Sequence, residues 1–161
     1  MTMGNNELGQ CGVDGESVYG EVNTVKRPAG STHKWSPASV ACGRSHTIVS
    51  SRPYGATPDE WSFWSCGNNE HGQLGYQTGR LANSELRRIE SSVPFVVVAT
   101  KADFNVAIDM DGAVWGWGDN SSKVFANVTT DEIVPEIRVF YQKINDQERK
   151  CPKMNTLRSL S

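Results

Sequence analysis

The sequence lacks the motifs that mark most metal-binding, redox and nucleotide-binding domains. Its four cysteines form no Cys-x-x-Cys pair, so their spacing predicts neither a zinc site nor a dithiol redox site. No Gly-x-x-x-x-Gly-Lys-Ser/Thr segment is present, and Gly116-x-Gly118 has no third glycine for a phosphate-binding loop. Cys42 and Cys66 precede glycines in apolar strand patterns, and we expect them to pack as reduced thiols. No metal or other cofactor is expected.

Excess positive charge and long hydrophobic runs are also missing. The formal net charge is −2 and the pI about 5.9, so the whole chain has little attraction for phosphate backbones or anionic membranes. The longest apolar stretch, residues 93–99, is far shorter than the roughly eighteen residues that cross a bilayer. No secretory leader is recognisable at the amino terminus. We therefore expect a cytoplasmic or nuclear protein that contacts no membrane, and nucleic acid is disfavoured as a partner.

One nine-residue segment occurs twice. Residues 4–12 and 67–75 share Gly-Asn-Asn-Glu, then Gly-Gln, then a closing Gly at the same places. A shortened copy, Gly-Asp-Asn-Ser, begins at Gly118, so the leading glycine recurs after 63 and then 51 residues. A period near fifty with glycine-rich turns is typical of propeller blades.

The segments before each copy repeat as well. Trp64 and Trp115 occupy matching places, each followed by a small residue, and alternation puts Trp115 and Trp117 on one strand face. We expect Trp64 and Trp115 to be largely buried. A second element, Val-Ala at residues 40–41 within an apolar–turn–apolar pattern, returns 58 residues later at residues 98–99. Both indicate two short strands joined by a polar turn.

Three segments, taken in the order that they have within one repeat, resemble the repeat of the regulator of chromosome condensation family: Val-Ala-x-Gly-x-x-His-Thr at 40–47, Val-Trp-x-Trp-Gly at 114–118 of the later copy, and Asn-x-x-Gly-Gln-Leu-Gly at 69–75. The resemblance implies an all-β fold, a partial β-propeller of four-stranded antiparallel blades, where family members usually close a ring of seven. Two departures stand out: residues 122–125 replace Gly-Gln-Leu-Gly, and Lys101 and Phe104 replace the second Gly-x-x-His. The repeat-signature positions are Gly4, Asn6, Gly9, Gln10, Gly43, His46, Trp64, Gly67, Asn69, Gly72, Gln73, Leu74, Gly75, Trp115, Trp117, Gly118 and Asn120.

The repeats define the expected domain organisation. Residues 1–139 hold a partial blade, a complete blade and a degenerate blade, and residues 140–161 form a polar tail. Residues 18–25 are expected as the outer strand of the partial blade, and residues 81–89 are ambiguous, with a helical turn as one possibility. Basic residues in the tail, such as Arg149 and Lys150, fit a solvated terminus better than a nucleic-acid contact. Blades that do not close a ring leave faces uncovered, so we expect self-association or dependence on further blades.

No constellation of residues indicates catalysis. His46 lies at a repeat turn, where we expect its imidazole to hydrogen-bond neighbouring backbone. Asp109-x-Asp111-Gly112 resembles the opening of a calcium loop, but Ala113 and Asn120 stand where further oxygen ligands are needed.

The resemblance leaves two functional classes open. Rigid frames with projecting loops are suited to recognition, and residues 52–60 form a nine-residue loop where the next blade has only Asp-Met-Asp-Gly. We therefore favour a non-catalytic protein-interaction module with Pro53, Tyr54 and Trp61 as candidate contacts and a partner that remains unidentified. The alternative, which the family resemblance alone implies, is a fragment of a guanine nucleotide exchange factor for a Ran-like small GTPase, although no exchange residue can be matched here.

Overall fold

Two antiparallel β-sheets, here called blade 1 and blade 2, make up most of the fold. The computed structural model describes residues 1–15, 22–31, 35–57 and 60–125, and the backbone of two further strands. Blade 1 contains β1 (Pro37–Cys42), β2 (His46–Ser51), β3 (Ser62–Asn68) and β4 (Ala82–Arg88), paired in that order. Blade 2 contains β5 (Phe95–Lys101), β6 (Phe104–Asp109), β7 (Val114–Asp119), β8 (Ile133–Ile144) and β9 (Gln147–Lys150). The prediction of an all-β fold with antiparallel blades is confirmed.

Blade 2 differs from the expected four strands because it carries a fifth. β8 is 12 residues long, and Val114 of β7 pairs with Tyr141, so the end of β8 extends past β7. β9 pairs with residues 141–144 of β8 and so provides hydrogen-bond partners for the backbone at the end of that strand. The strands therefore continue past residue 139, where the repeats were predicted to end. The domain boundary stays a prediction, and residues 151–161 lie outside the described part of the chain.

The ambiguous segment at residues 81–89 is a strand, so the suggestion of a helical turn was wrong. β4 pairs with β3 through Trp64↔Arg88 and Ser65↔Arg87. This pairing buries Leu86, while its neighbours Glu85 and Arg87 are exposed. This segment is a strand because it pairs with the edge of β3. The local sequence does not indicate that long-range pairing.

The amino-terminal segment supplies only part of a blade. Thr2 and Asn23 exchange two backbone hydrogen bonds of 2.9 and 2.7 Å, which form a single antiparallel bridge. The predicted outer strand at 18–25 is described only from residue 22 onward, so half of that prediction lies outside the described residues, and within residues 22–25 only Asn23 forms a β-bridge.

The main hydrophobic core lies between the two blades. Blade 1 contributes Ile48, Phe63 and Ile89, and blade 2 contributes Phe95, Ala107 and Trp117. The Phe95 ring stacks on Trp117 with centroids 6.1 Å apart and meets Phe63 edge-on at 6.0 Å. Such pairs add about 0.5–1.5 kcal/mol each to the free energy of burial. The junction between blades is therefore a packed core, which fixes the blades as a rigid unit.

The opposite face of blade 1 holds a second, smaller cluster. Trp64, Cys66 and Leu86 are buried there. Trp64 is 4% exposed, as expected, whereas Trp115, which was also expected to be largely buried, is only partly buried. The indole N–H of Trp115 donates to the Asp109 carboxylate at 2.8 Å. Within the described part of the chain, no helix has the length and apolar character to cross a membrane.

Candidate protein-binding site and blade junction

The repeated nine-residue segment folds into the same compact turn in all three copies. An asparagine organises each turn: the side-chain oxygens of Asn6, Asn69 and Asn120 accept the backbone N–H five positions later, at 2.9, 2.9 and 2.7 Å. Asn6 and Asn120 are at most 4% exposed, and Asn69 is partly buried. The third copy therefore keeps the turn although Gly-Gln-Leu-Gly is absent from its sequence.

The third copy has Lys123 where the other two copies have glycine, and this substitution strains the backbone. The position three residues after the asparagine has a left-handed backbone in every copy, with φ of 78° at Gly9, 74° at Gly72 and 55° at Lys123. For a residue with a side chain, that conformation is about 1–2 kcal/mol higher in free energy than the right-handed one. The buried Asn120 and the buried Phe125 that follows hold the turn in place despite this strain.

In the first two turns, the glutamine links the turn to the following blade through its backbone carbonyl. The Gln73 carbonyl accepts hydrogen bonds from Asn105 Nδ2 at 2.8 Å and Trp117 Nε1 at 3.1 Å, both in blade 2. The Gln10 carbonyl accepts one from Thr47 Oγ1 of blade 1 at 2.7 Å. Thr47 and Asn105 occupy the same place in the two repeats. The repeated Gly-Gln pair thus positions a hydrogen-bond acceptor for the following blade.

Glycines let neighbouring turns approach these segments closely. Gly67 and Gly118 have φ of 110° and 107°, and a Cβ at either would collide with the carbonyl of Ser45 or Asp103, respectively. The next residues, Asn68 and Asp119, donate their backbone N–H to those same carbonyls at 2.7 and 2.9 Å. Gly4 shares the positive φ, at 114°. A side chain at Gly75 would press on Trp117. Gly67 and Gly118 are therefore required by close backbone approach, whereas Gly4 has open space around it and shares only the backbone conformation.

His46 crosses the junction instead of bonding neighbouring backbone, which corrects the expectation for its ring. Its Nε2 lies 2.7 Å from Asn105 Oδ1. Because Asn105 Nδ2 is used by the Gln73 carbonyl, the oxygen faces the ring and Nε2 carries the proton. Burial lowers the pKa of His46 below 6.5, and the Asn105 hydrogen bond and the Asp103 charge oppose this only in part. The 59-residue separation hides this pair from sequence reasoning.

The ring of His46 also explains Gly43. A Cβ at Gly43 would collide with the imidazole and with the Ala102 carbonyl. Arg44 donates its backbone N–H to that carbonyl at 2.8 Å, and its guanidinium reaches Asp103 at 3.1 Å. The arginine side chain is 71% exposed, so this ion pair contributes little to stability. No pattern in the sequence predicts this ion pair.

The three residues of the predicted binding loop have different surroundings. Tyr54 is fully exposed, whereas Pro53 and Trp61 are partly buried. Arg52 stacks its guanidinium on the Trp61 ring at 4.2 Å and donates Nη2 to the Val96 carbonyl of blade 2 at 2.5 Å. The loop is thus braced across both blades, with Tyr54 presented to solvent. A partner contact by these residues stays a prediction, and Pro58 and Asp59 lie outside the described residues.

Three cysteines lie near one another on the face of blade 1 that points away from blade 2. Cys66 and Cys11 are buried and Cys42 is exposed, and all three border a cavity of about 670 Å³. Burial, reinforced by the neighbouring thiols Cys11 and Cys42, raises the pKa of Cys66 to about 12, so it is a poor nucleophile. Among the residues that the structure describes, no group of three or more His, Cys, Asp or Glu side chains is arranged to hold a metal ion.

The repeat geometry agrees with the comparisons with known proteins. The mouse protein named "RCC1-like G exchanging factor-like protein" is 33% identical over 133 residues, which are 80% of this chain and 27% of that protein. The crystal structure of human WBSCR16 superposes with a TM-score of 0.66 at 30% identity, over 85% of this chain and 33% of that one. The chain is built from repeats similar to those of the regulator of chromosome condensation family.

A more distant member of the same fold is Prp20p from Saccharomyces cerevisiae, whose structure is described with its binding to Gsp1p and histones. It superposes with a TM-score of 0.63 at 21% identity, over 84% of this chain and 32% of that one. This chain therefore spans about a quarter to a third of the length of the family proteins it matches. No protein-family model matches the chain.

Proposed function

We propose that the chain is a non-catalytic protein-interaction module of this family, and that the loop at residues 52–61 contacts the partner. The observation that carries the proposal is Tyr54, a fully exposed aromatic side chain on a loop that Arg52 ties to both blades. Tyrosine presented on a rigid frame contributes large contact area at little entropic cost, which is why it is enriched at interfaces.

The environment of the buried polar groups supports a structural role over catalysis. His46, Asn105 and Gln73 are each at most 1% exposed and are tied together by hydrogen bonds across the blade junction. A general base must reach a substrate proton, and a buried ring paired with Asn105 is poorly placed for that.

The test is site-specific photo-crosslinking. A benzophenone amino acid at position 54 is expected to crosslink a discrete protein from cytoplasmic or nuclear extract, and the same probe at position 110 is not. Met110 is a matched control because it is 55% exposed on the short turn that occupies the equivalent place in blade 2. In an affinity pull-down without the probe, shortening residues 52–60 to Asp-Met-Asp-Gly should abolish capture of the same protein. Equal crosslinking from both positions, or capture that survives the shortened loop, refutes the proposal.

A second candidate is a fragment of an exchange factor for a small GTPase such as Ran. Its support is the name of the mouse relative, which refers to G exchanging activity, and the description of Prp20p with Gsp1p. Exchange requires a surface that favours the nucleotide-free GTPase, and this chain matches only a quarter to a third of those proteins. The candidate is tested by nucleotide release from Ran.

We further propose that the chain functions in the cytoplasm or nucleus and associates with copies of itself or with further blades. The support is β1, which has five exposed residues out of six, including Val40 at 63% exposure. Size-exclusion chromatography with light scattering should show species larger than the 17.7 kDa chain. A single monodisperse monomer would refute the association.

A further inference from the structure

A polar pocket of about 480 Å³ lies where the second nine-residue turn leads into β4. Its lining residues are Gln77, Thr78, Gly79, Arg80, Asn83 and Arg87. The set contains two guanidinium groups and no carboxylate. A pocket with this lining has a positive potential and hydrogen-bond donors, which are the two requirements for holding an oxyanion.

Arg87 is held in place by an aromatic side chain. Its guanidinium lies over the Tyr76 ring, 5.2 Å from the centroid. Tyr76 is fixed in turn, because its hydroxyl donates to the Ser65 carbonyl at 3.2 Å and accepts from Asn83 Nδ2 at 2.9 Å. Stacking leaves the edge of a guanidinium plane available for in-plane hydrogen bonds. Arg87 is therefore preorganised to use its N–H fork.

Arg80 is presented by a tight turn. Thr78 Oγ1 accepts the Arg80 backbone N–H at 2.8 Å and donates to the Arg80 carbonyl at 2.9 Å. Within the described part of the chain, Arg44 is paired with Asp103, but Arg80 and Arg87 make no ion pair. Both pocket arginines thus keep their full hydrogen-bonding capacity for a ligand.

We propose that this pocket binds a phosphoryl group carried by a partner protein. Two arginine forks match the oxygens of a phosphoryl group, and the pocket is a single concave site of the right polarity. A nucleic-acid partner is disfavoured because the chain has a net charge of −2, whereas nucleic-acid binders present a basic stripe. The inference depends on the proposed function in one respect: it takes the phosphoryl group to be carried by a partner protein.

Amide-resolved NMR titration with inorganic phosphate, followed by a phosphoserine peptide and its unphosphorylated form, tests the site. We expect saturable shifts at residues 78–80, 83 and 87. Arg87→Gln and Arg80→Gln should each weaken binding about tenfold or more, as expected for loss of a charge-assisted pair. Arg87→Lys should fall between Arg87→Gln and wild type, because it keeps the charge and loses the fork. Arg88→Gln is the matched control, since Arg88 is an exposed neighbour on β4 that does not line the pocket.

Three results would overturn the inference: no saturable response to phosphate, equal weakening by Arg88→Gln and Arg87→Gln, or tighter binding of a single-stranded oligonucleotide than of the phosphopeptide. The two proposals fail separately. Loop-dependent crosslinking at position 54 without a phosphate response refutes the pocket alone. A phosphate response in a chain that crosslinks no protein refutes the proposed function and leaves the anion site standing.

Discussion

The hydrogen bond between His46 and Asn105 allows the blade junction to be tested by a double-mutant cycle. The two repeats themselves suggest the substitutions: Phe104 stands in the place of His46, and Thr47 stands in the place of Asn105. His46→Phe and Asn105→Thr therefore exchange each residue for one that the fold already accepts at the equivalent position.

The expected magnitude follows from which atoms lose their partners. Asn105→Thr keeps a hydroxyl donor for the Gln73 carbonyl, as Thr47 does for Gln10, but leaves His46 Nε2 buried and unpaired. His46→Phe leaves Asn105 Oδ1 unpaired. Each orphaned group costs about 1–3 kcal/mol in the free energy of unfolding. In the double variant neither partner is orphaned, so its loss should be smaller than the sum of the single losses by about 2 kcal/mol or more.

Urea denaturation at pH 7.5, followed by tryptophan fluorescence, gives the midpoints and slopes needed for the cycle. Equal slopes across the four proteins would show that they unfold to comparable states. Single losses that add in the double variant to within about 0.5 kcal/mol would mean that the two side chains are not coupled, and the junction described here would be wrong.

Three further predictions concern single groups. Lys123→Gly should raise the free energy of unfolding by about 1 kcal/mol, because the left-handed strain it relieves exceeds the added freedom of the unfolded chain. The neighbouring Ser122→Gly should give no gain, and equal effects in urea would contradict the assignment of strain. Since burial holds the folded pKa of His46 below its ordinary value of 6.5, the unfolded chain binds more protons than the folded chain below that pH. Stability should therefore fall as the pH drops below 6.5, by at most about 1.4 kcal/mol per pH unit, and urea midpoints of His46→Phe should lack this component. In the native protein, iodoacetamide should label exposed Cys42 well before Cys66, whose pKa is raised to about 12, and similar labelling rates by peptide mass analysis would contradict the burial.

The fold was largely predictable because its signals are local. The Gly-Asn-Asn-Glu repeat and the Trp64 and Trp115 strands appear directly in the sequence and set the all-β blades. The errors occurred where long-range pairing decides the structure: residues 81–89 become a strand only because β3 offers an edge.

The site was less predictable for the same reason. The projecting loop could be recognised from its length and prolines, but not the bracing of Trp61 by Arg52, whose other contact is 44 residues away. The partner of His46 lies 59 residues away, and the arginine pocket depends on Tyr76 stacking. The third copy keeps the complete turn although Lys123 replaces the glycine. The sequence alone does not show this, because it does not reveal that Asn120 and Phe125 hold a strained backbone in place.

The central claim, that this chain binds a protein without catalysing nucleotide exchange, is tested most directly by the release of fluorescent GDP from Ran. Release is followed with no addition, with the chain at one-hundredth of the Ran concentration, and with the chain in stoichiometric excess. The account predicts the same release rate in all three, because an exchange factor must stabilise the nucleotide-free state more than the bound state. Acceleration by the substoichiometric chain would contradict the claim and establish the exchange-factor function.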